Sequence, residues 1–129
     1  MKIAVIGSNG FVGSEIAKAI KASSMHELIS ITRNSNSEGL IAKADVVIHS
    51  ANPAGRYNAE KNKSRDFTET IEKTSLLLKY SRGKKFILIS SISCRTQLHL
   101  SYGQHRKACE LMALSHGATV IRLGPMFGG

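Results

Sequence analysis

The sequence predicts an α/β fold, a Rossmann-like doubly wound parallel sheet of about five strands. Three observations predict it. Apolar, β-branched runs alternate with helical patterns, which is the signature of consecutive βαβ units. Several of those runs are apolar throughout, such as Val46-Val47-Ile48 and Phe86-Ile87-Leu88-Ile89, as strands are when helices cover both faces of a sheet. The first run leads into a glycine-rich turn that opens a helix, Gly7-Ser8-Asn9-Gly10-Phe11-Val12-Gly13.

The first strand is predicted over Lys2–Ile6. A helix follows over Gly10–Ala22, where Val12, Ile16, Ala19 and Ile20 recur near helical spacing and can lie on the sheet. Leu28–Thr32 is the second strand, Glu38–Lys43 a short helical piece, and Asp45–Ser50 the third strand. The next helix spans Asn58–Arg82 with Phe67, Ile71, Thr74 and Leu78 on one face, and Gly83 supplies the left-handed residue that ends it. Lys85–Ser90 is the fourth strand. The last helix spans Ser101–His116, with Ala108, Leu111, Met112 and Leu114 as its apolar content and Gly117 as its stop. Ser101-Tyr102-Gly103-Gln104 at its start reads as a capping box. Ala118–Leu123 is the fifth strand.

With 129 residues the chain is long enough for one domain, 1–129, and too short for two of ordinary size. Hydrophobic residues at 42% and charged residues at 21% are those of a globular domain, not a disordered chain. No apolar run approaches the ~20 residues of a membrane span. Met1-Lys2 leads straight into the first strand without a signal-peptide pattern, so the expected location is the cytoplasm, away from membranes. Cys94 and Cys109 are too few for a disulfide framework and predict reduced thiols. A net charge of +9 favours an anionic partner. Aromatics are only 5% and the basic residues are scattered from Lys2 to Arg122, which favours a phosphate-bearing small molecule over nucleic acid.

The spacing Gly7-x-x-Gly10-x-x-Gly13 between a strand and a helix has a physical reading. One glycine makes the tight turn, one lets backbone approach a pyrophosphate, and one allows helix and strand to pack closely. The helix N-terminus offers unpaired N–H groups and positive dipole to the phosphates. Glycines that merely make a tight turn are the alternative reading. Metal ligation is not expected: His105 and Cys109 at i, i+4 with His99 nearby lack a fourth ligand, and solvated or packing roles explain them.

These segments, followed in order by Asp45–Ala51, Phe86–Ser91, Tyr102-Gly103 through Glu110, and Ile121-Arg122-Leu123-Gly124-Pro125-Met126-Phe127-Gly128, resemble the cofactor-binding domain of the extended short-chain dehydrogenase/reductases, the NAD-dependent epimerase/dehydratase family. The resemblance implies a nicotinamide dinucleotide cofactor, nucleotide-sugar or small carbonyl/hydroxyl chemistry, and the strand order 2-1-3-4-5. It implies that residues Gly7–Gly13 hold the pyrophosphate, that Ser50, Ala51 and Asn52 pass the adenine side, and that Gly124, Pro125 and Met126 lie near the nicotinamide. Family members carry an acid at the end of the second strand for the adenosine ribose. Here Thr32-Arg33-Asn34 stands there, and a guanidinium suits a 2′-phosphate, so NADP is favoured over NAD.

The family's chemistry implies a serine at a strand end, a tyrosine that exchanges a proton, and a lysine four residues on whose charge favours the phenolate. Ser91 and Tyr102 match, but the fourth residue after Tyr102 is Arg106. Lys107 is no substitute: five steps of about 100° put it roughly 140° around the helix, whereas Arg106 is only about 40° away. Arg106 can supply charge and bond a ribose hydroxyl, yet its planar fork is not an ammonium. Thr70 falls near the family's supporting asparagine. The family's chains continue past the segment matching 124–129 into a substrate-binding domain. Its absence here favours the rival reading, an inactive or truncated dinucleotide sensor acting through a partner protein. By the same resemblance, a homodimer would form through helices 58–82 and 101–116.

Overall fold

The alternation of apolar strands and helices winds into one parallel sheet. The computed structural model describes residues 1–51, 60–91 and 98–123, without the side chain of Ser91. Strand β1 (Lys2–Ile6) is followed by α1 (Phe11–Ala22), β2 (Glu27–Ile31), α2 (Ser37–Ala42) and β3 (Val46–His49). Helix α3 covers 63–80, and then come β4 (Lys85–Ser91), α4 (Ser101–Ser115) and β5 (Thr119–Leu123). All neighbouring strands are parallel, in the order β2-β1-β3-β4-β5 predicted from the sequence.

The alternation of each strand sorts its side chains between two cores. Ala4, Ile6, Ile31, Val47 and Leu88 face Ile41 of α2, Leu77 and Leu78 of α3, and Cys109 and Ala113 of α4. Ile3, Val5 and Val46 face Ile20 of α1 on the other side. Strand β2 starts one residue earlier than predicted and stops before Thr32, because the Thr32 amide donates to Ser35 Oγ at 3.0 Å instead of extending the ladder. The assigned β3 is shorter than Asp45–Ser50, although Asp45 and Ser50 still donate backbone bonds to Lys2 and Ile6 of β1.

Helix α3 turns Ile71, Thr74 and Leu78 to the core as predicted, and departs from the predicted face at Phe67. It is α-helical over Lys63–Phe67, π-wound over Thr68–Glu72 and α-helical again over Lys73–Tyr80. A π turn takes an extra residue and rotates everything before it relative to everything after it. Asp66 therefore points inward in place of the expected Phe67, which is exposed, whereas Ile71 packs partly buried against the core beside the buried Thr70. In α1 the buried positions are Gly13, Ala17 and Ile20, so Ala17 takes the place expected of Ala19.

Helix α4 also buries a different face. Gly103, Arg106, Cys109, Glu110 and Ala113 turn inward, whereas Leu111 and Leu114 are exposed. Its predicted capping box does not form: Leu100 is the N-cap, Ser101 is the first helical residue, and the Gln104 side chain donates to the Leu98 carbonyl at 3.0 Å. The Tyr102 amide instead donates to Glu60 Oε1 at 3.2 Å, a carboxylate that the helix dipole also favours. Gly83 and Gly117 take the positive φ expected of helix stops, 79° and 76°.

His49 ends β3 with no exposed surface. The Ala51 amide donates to its Nδ1 at 3.3 Å, so Nε2 carries the hydrogen and donates to Thr74 Oγ1 at 3.0 Å. Burial, and then the nearby Lys73 ammonium, push its pKa from 6.5 to about 3. A neutral imidazole is thus built into the junction of sheet and α3.

Candidate functional site

Reversal of strand order at β1 and β3 leaves a crevice at the carboxyl ends of the strands, the place where open α/β sheets bind ligands. Here it is a cavity of about 340 Å³ lined by Gly7, Asn9 and Gly10 after β1, Thr32 and Arg33 after β2, and Ser50 and Ala51 after β3. Ile6, Ile31 and Ser37 add to its walls, and Glu69 and Lys73 reach it from α3.

The glycines hold this crevice open. Gly7 has φ +82°, and a Cβ there would lie 2.8 Å from Ala51 Cα. The Gly7 amide donates to the Ile31 carbonyl at 2.9 Å, and the Gly7 carbonyl accepts from the Gly10 amide at 3.0 Å. Gly13 lies beneath that turn, where a Cβ would stand 1.9 Å from the Gly7 carbonyl oxygen. Gly10 is the N-cap of α1 and, lacking a side chain, makes no cap hydrogen bond to the first amides of that helix. Among the described residues, a Cβ on Gly10 would meet only the Gly7 carbonyl, at 3.4 Å. Gly7 and Gly13 are therefore demanded by packing, whereas Gly10 leaves open space where a ligand's phosphates could approach. The Ser50 hydroxyl donates to the Ile6 carbonyl at 2.8 Å and ties β3 to the base of the turn.

Arg33 stands at the rim, largely exposed, with Nη2 3.6 Å from Glu69 Oε2. Burial lowers the Lys73 pKa, Glu69 raises it and Arg33 lowers it again, so the three charges feel one another across the cavity. Glu69 and Lys73 are absent from the residues predicted for the site. Their i, i+4 spacing is visible in the sequence, but nothing in it says which way the pair faces, and the fold turns both into the crevice.

Of the predicted phosphate-loop residues, Gly7, Asn9 and Gly10 line the cavity, and Ser8, Phe11, Val12 and Gly13 complete the loop and first turn without lining it. Tyr102 and Arg106 lie on α4 and are not lining residues. The Arg106 guanidinium carbon stacks 4.2 Å from the centre of the Tyr102 ring, over its face. The guanidinium is buried and its Nη1 lies 3.3 Å from Asp66 Oδ2, and the same carboxylate pairs with His105 Nδ1. Thr70 donates its hydroxyl to the Asp66 carbonyl within α3. Cys109 is in the core, where burial raises its thiol pKa. Ser91 closes β4. Asn52, Gly124, Pro125 and Met126 lie outside the described residues, as does the Ser91 side chain.

The sequence model of the NAD dependent epimerase/dehydratase family matches residues 3–98, which hold the phosphate-loop turn and four of the five strands. The chain belongs to that family. The match ends before α4, so it speaks for the crevice and not for Tyr102 or Arg106. No curated protein matches the chain. Among solved structures, dTDP-4-dehydrorhamnose reductase from Yersinia enterocolitica superposes with a TM-score of 0.87 at 21% identity, over 99% of this chain and 54% of that one. UDP-glucuronic acid 4-epimerase from Bacillus cereus, solved with NAD and a fluorinated UDP-glucuronic acid, gives 0.82 at 20% identity over 95% and 56%. The Bacillus anthracis dTDP-4-dehydrorhamnose reductase, solved with NADP, gives 0.80 at 14% identity over 95% and 53%. At such identities the likeness establishes the family's fold. The chain spans about half the length of these structures. Among the described residues, no helix is long and apolar enough to cross a membrane.

Proposed function

We propose that residues 1–129 act as one NAD(P)-binding domain of the epimerase/dehydratase type. The observation that carries this reading is the glycine cradle: a turn in which any Cβ at Gly7 or Gly13 would collide with backbone, opening at an uncapped helix N-terminus onto the crevice. Gly7–Gly13 would hold the pyrophosphate, Ser50, Ala51 and Asn52 the adenine side, and Gly124, Pro125 and Met126 the nicotinamide side. Arg33 at the rim favours NADP over NAD through a charge-assisted bond to a 2′-phosphate. When bound, the dinucleotide supplies hydride exchange.

In an active form, Tyr102 exchanges a proton with a substrate hydroxyl or carbonyl and Ser91 orients that oxygen. Arg106, stacked on the ring, brings positive charge beside the tyrosine and would bond a ribose hydroxyl of the cofactor. Nucleotide sugars, the substrates named for the structural neighbours, are the proposed substrate class, and the cytoplasm the proposed location. A second reading is a dinucleotide sensor without catalysis, acting through a partner protein. It is favoured by the engagement of Arg106 with Asp66 and the ring face, where the family's chemistry uses a lysine.

Calorimetric titration with NADPH and NADH, on the wild type and on Gly10→Val, tests the cofactor reading. The wild type is expected to bind both and favour NADPH, and Gly10→Val to lose binding while keeping its fold, because the added carbons occupy ligand space. No binding by the wild type would remove the cofactor and every catalytic assignment with it. In the same series, Tyr102→Phe should keep cofactor affinity and lose turnover. Unchanged turnover would reject the proton-transfer role, and retained binding without turnover in the wild type would favour the sensor.

We also propose a homodimer through helices 58–82 and 101–116, supported by exposed Phe67 and Leu76 on α3 and Leu111 and Leu114 on α4. Light scattering after size exclusion should give twice the chain mass, and Leu111→Glu should halve it. A wild-type monomer at micromolar concentration would reject this interface.

A further inference from the structure

Three charged side chains from two elements meet at the crevice. Arg33 comes from the turn after β2, whereas Glu69 and Lys73 come from α3, and all three line one cavity. The carboxylate of Glu69 lies 3.6 Å from the Arg33 guanidinium. Lys73 has part of its surface buried and is repelled by Arg33 and attracted by Glu69, so two cations and one carboxylate share the walls of one cavity. Such a group suits two ligands differently. A neutral ribose diol asks for an acceptor, which Glu69 provides in the role that dinucleotide folds usually give to an acid after β2. A ribose phosphate, with a charge of about −1.5 to −2, asks for cations and is opposed by a carboxylate.

Resting on the reading of this crevice as a dinucleotide site, we propose that Glu69 and Lys73 set its selectivity between dinucleotides with and without a phosphate on the adenosine ribose. Lys73 joins Arg33 in holding the phosphate. Glu69 accepts from the ribose hydroxyls when the phosphate is absent, and draws Arg33 away when it is present. The two residues act in opposite directions on one ratio, the affinity for NADPH over that for NADH.

Titration of the full chain and of Glu69→Gln, Lys73→Met and Lys73→Arg with NADPH and NADH reads that ratio directly. A single unit charge near a phosphomonoester in a partly solvated crevice is worth about tenfold in affinity. Glu69→Gln should raise the NADPH preference by about that factor, strengthening NADPH binding and weakening NADH binding. Lys73→Met should lower the preference about tenfold through NADPH alone, and Lys73→Arg should restore it. Equal losses for both dinucleotides in Lys73→Met would place Lys73 on a shared part of the ligand and overturn the proposal, while leaving the cofactor reading intact. An unchanged ratio in both Glu69→Gln and Lys73→Met would overturn it as well. Failure of the wild type to bind either dinucleotide would overturn both readings together.

Discussion

Replacing Gly13 by alanine is expected to cost at least about 3 kcal/mol of stability, an unusually large effect for one added methyl. The methyl would sit 1.9 Å from the Gly7 carbonyl oxygen, 2.7 Å from the Gly7 carbonyl carbon and 2.8 Å from Ser50 Oγ. None of these is the free end of a flexible chain. The carbonyl accepts from the Gly10 amide, and the serine hydroxyl is bonded to β1. Relief would require α1 to move off the sheet, which would strip Ile20 and Ala17 from their core. Gly10→Ala is the matched control, because its methyl meets one atom at 3.4 Å and its φ of −81° suits any residue. It should cost less than about 1 kcal/mol. Urea unfolding of both variants measures the difference. A Gly13→Ala protein within about 0.5 kcal/mol of the wild type would show that the helix and strand are not packed as closely as the crevice requires.

Acid is expected to destabilise the fold through His49 in a defined window. Its pKa is about 3 in the folded chain against an ordinary value of 6.5, so below pH 6.5 the unfolded chain takes up a proton that the native chain refuses. Stability from this group is complete above pH 6.5 and is lost as pH falls toward 3, with a limiting slope of about 1.4 kcal/mol per pH unit. At pH 5 the accumulated loss is about 2 kcal/mol. Carboxylates titrate in the same region, so the measurement is a difference: unfolding free energies of the wild type and of His49→Gln from about pH 7.5 to about pH 4.5. The variant lacks the titrating ring and should show the shallower dependence. Parallel curves would mean that His49 is protonated in the native state, against its hydrogen bonds to the Ala51 amide and Thr74.

The strands are legible in the sequence because their signal is local. A run such as Val46-Val47-Ile48 is apolar on both faces whatever surrounds it, and β1 has the bounds that its residues predict. The phosphate-loop glycines are legible for a related reason, since a strand must turn into a helix within a few residues and the backbone geometry narrows the residue types. Helix faces are less legible. In α4, Leu111 and Leu114 look like core by composition, yet the core side is made of small residues, the partly buried Met112, and Arg106 and Glu110 in ion pairs. Arg122 of β5 holds both carboxylate oxygens of Glu110, at 2.9 and 2.7 Å, which makes a buried carboxylate tolerable. No periodicity rule can anticipate that, because the partner is on another element.

By itself the sequence determined the fold class and the glycine turn, which come from local pattern, and the ordered segments that resemble the family implied the strand order. Tertiary structure decided which charges meet. The fold turned Glu69 and Lys73 of α3 into the crevice beside Arg33, and Asp66 toward Arg106 and His105. It also decided that Glu60, rather than Ser101, serves the first turn of α4. The physical reason is common to these cases. Backbone conformation is governed by neighbours along the chain, whereas a charged side chain takes its partner from whatever another element brings within a few ångströms.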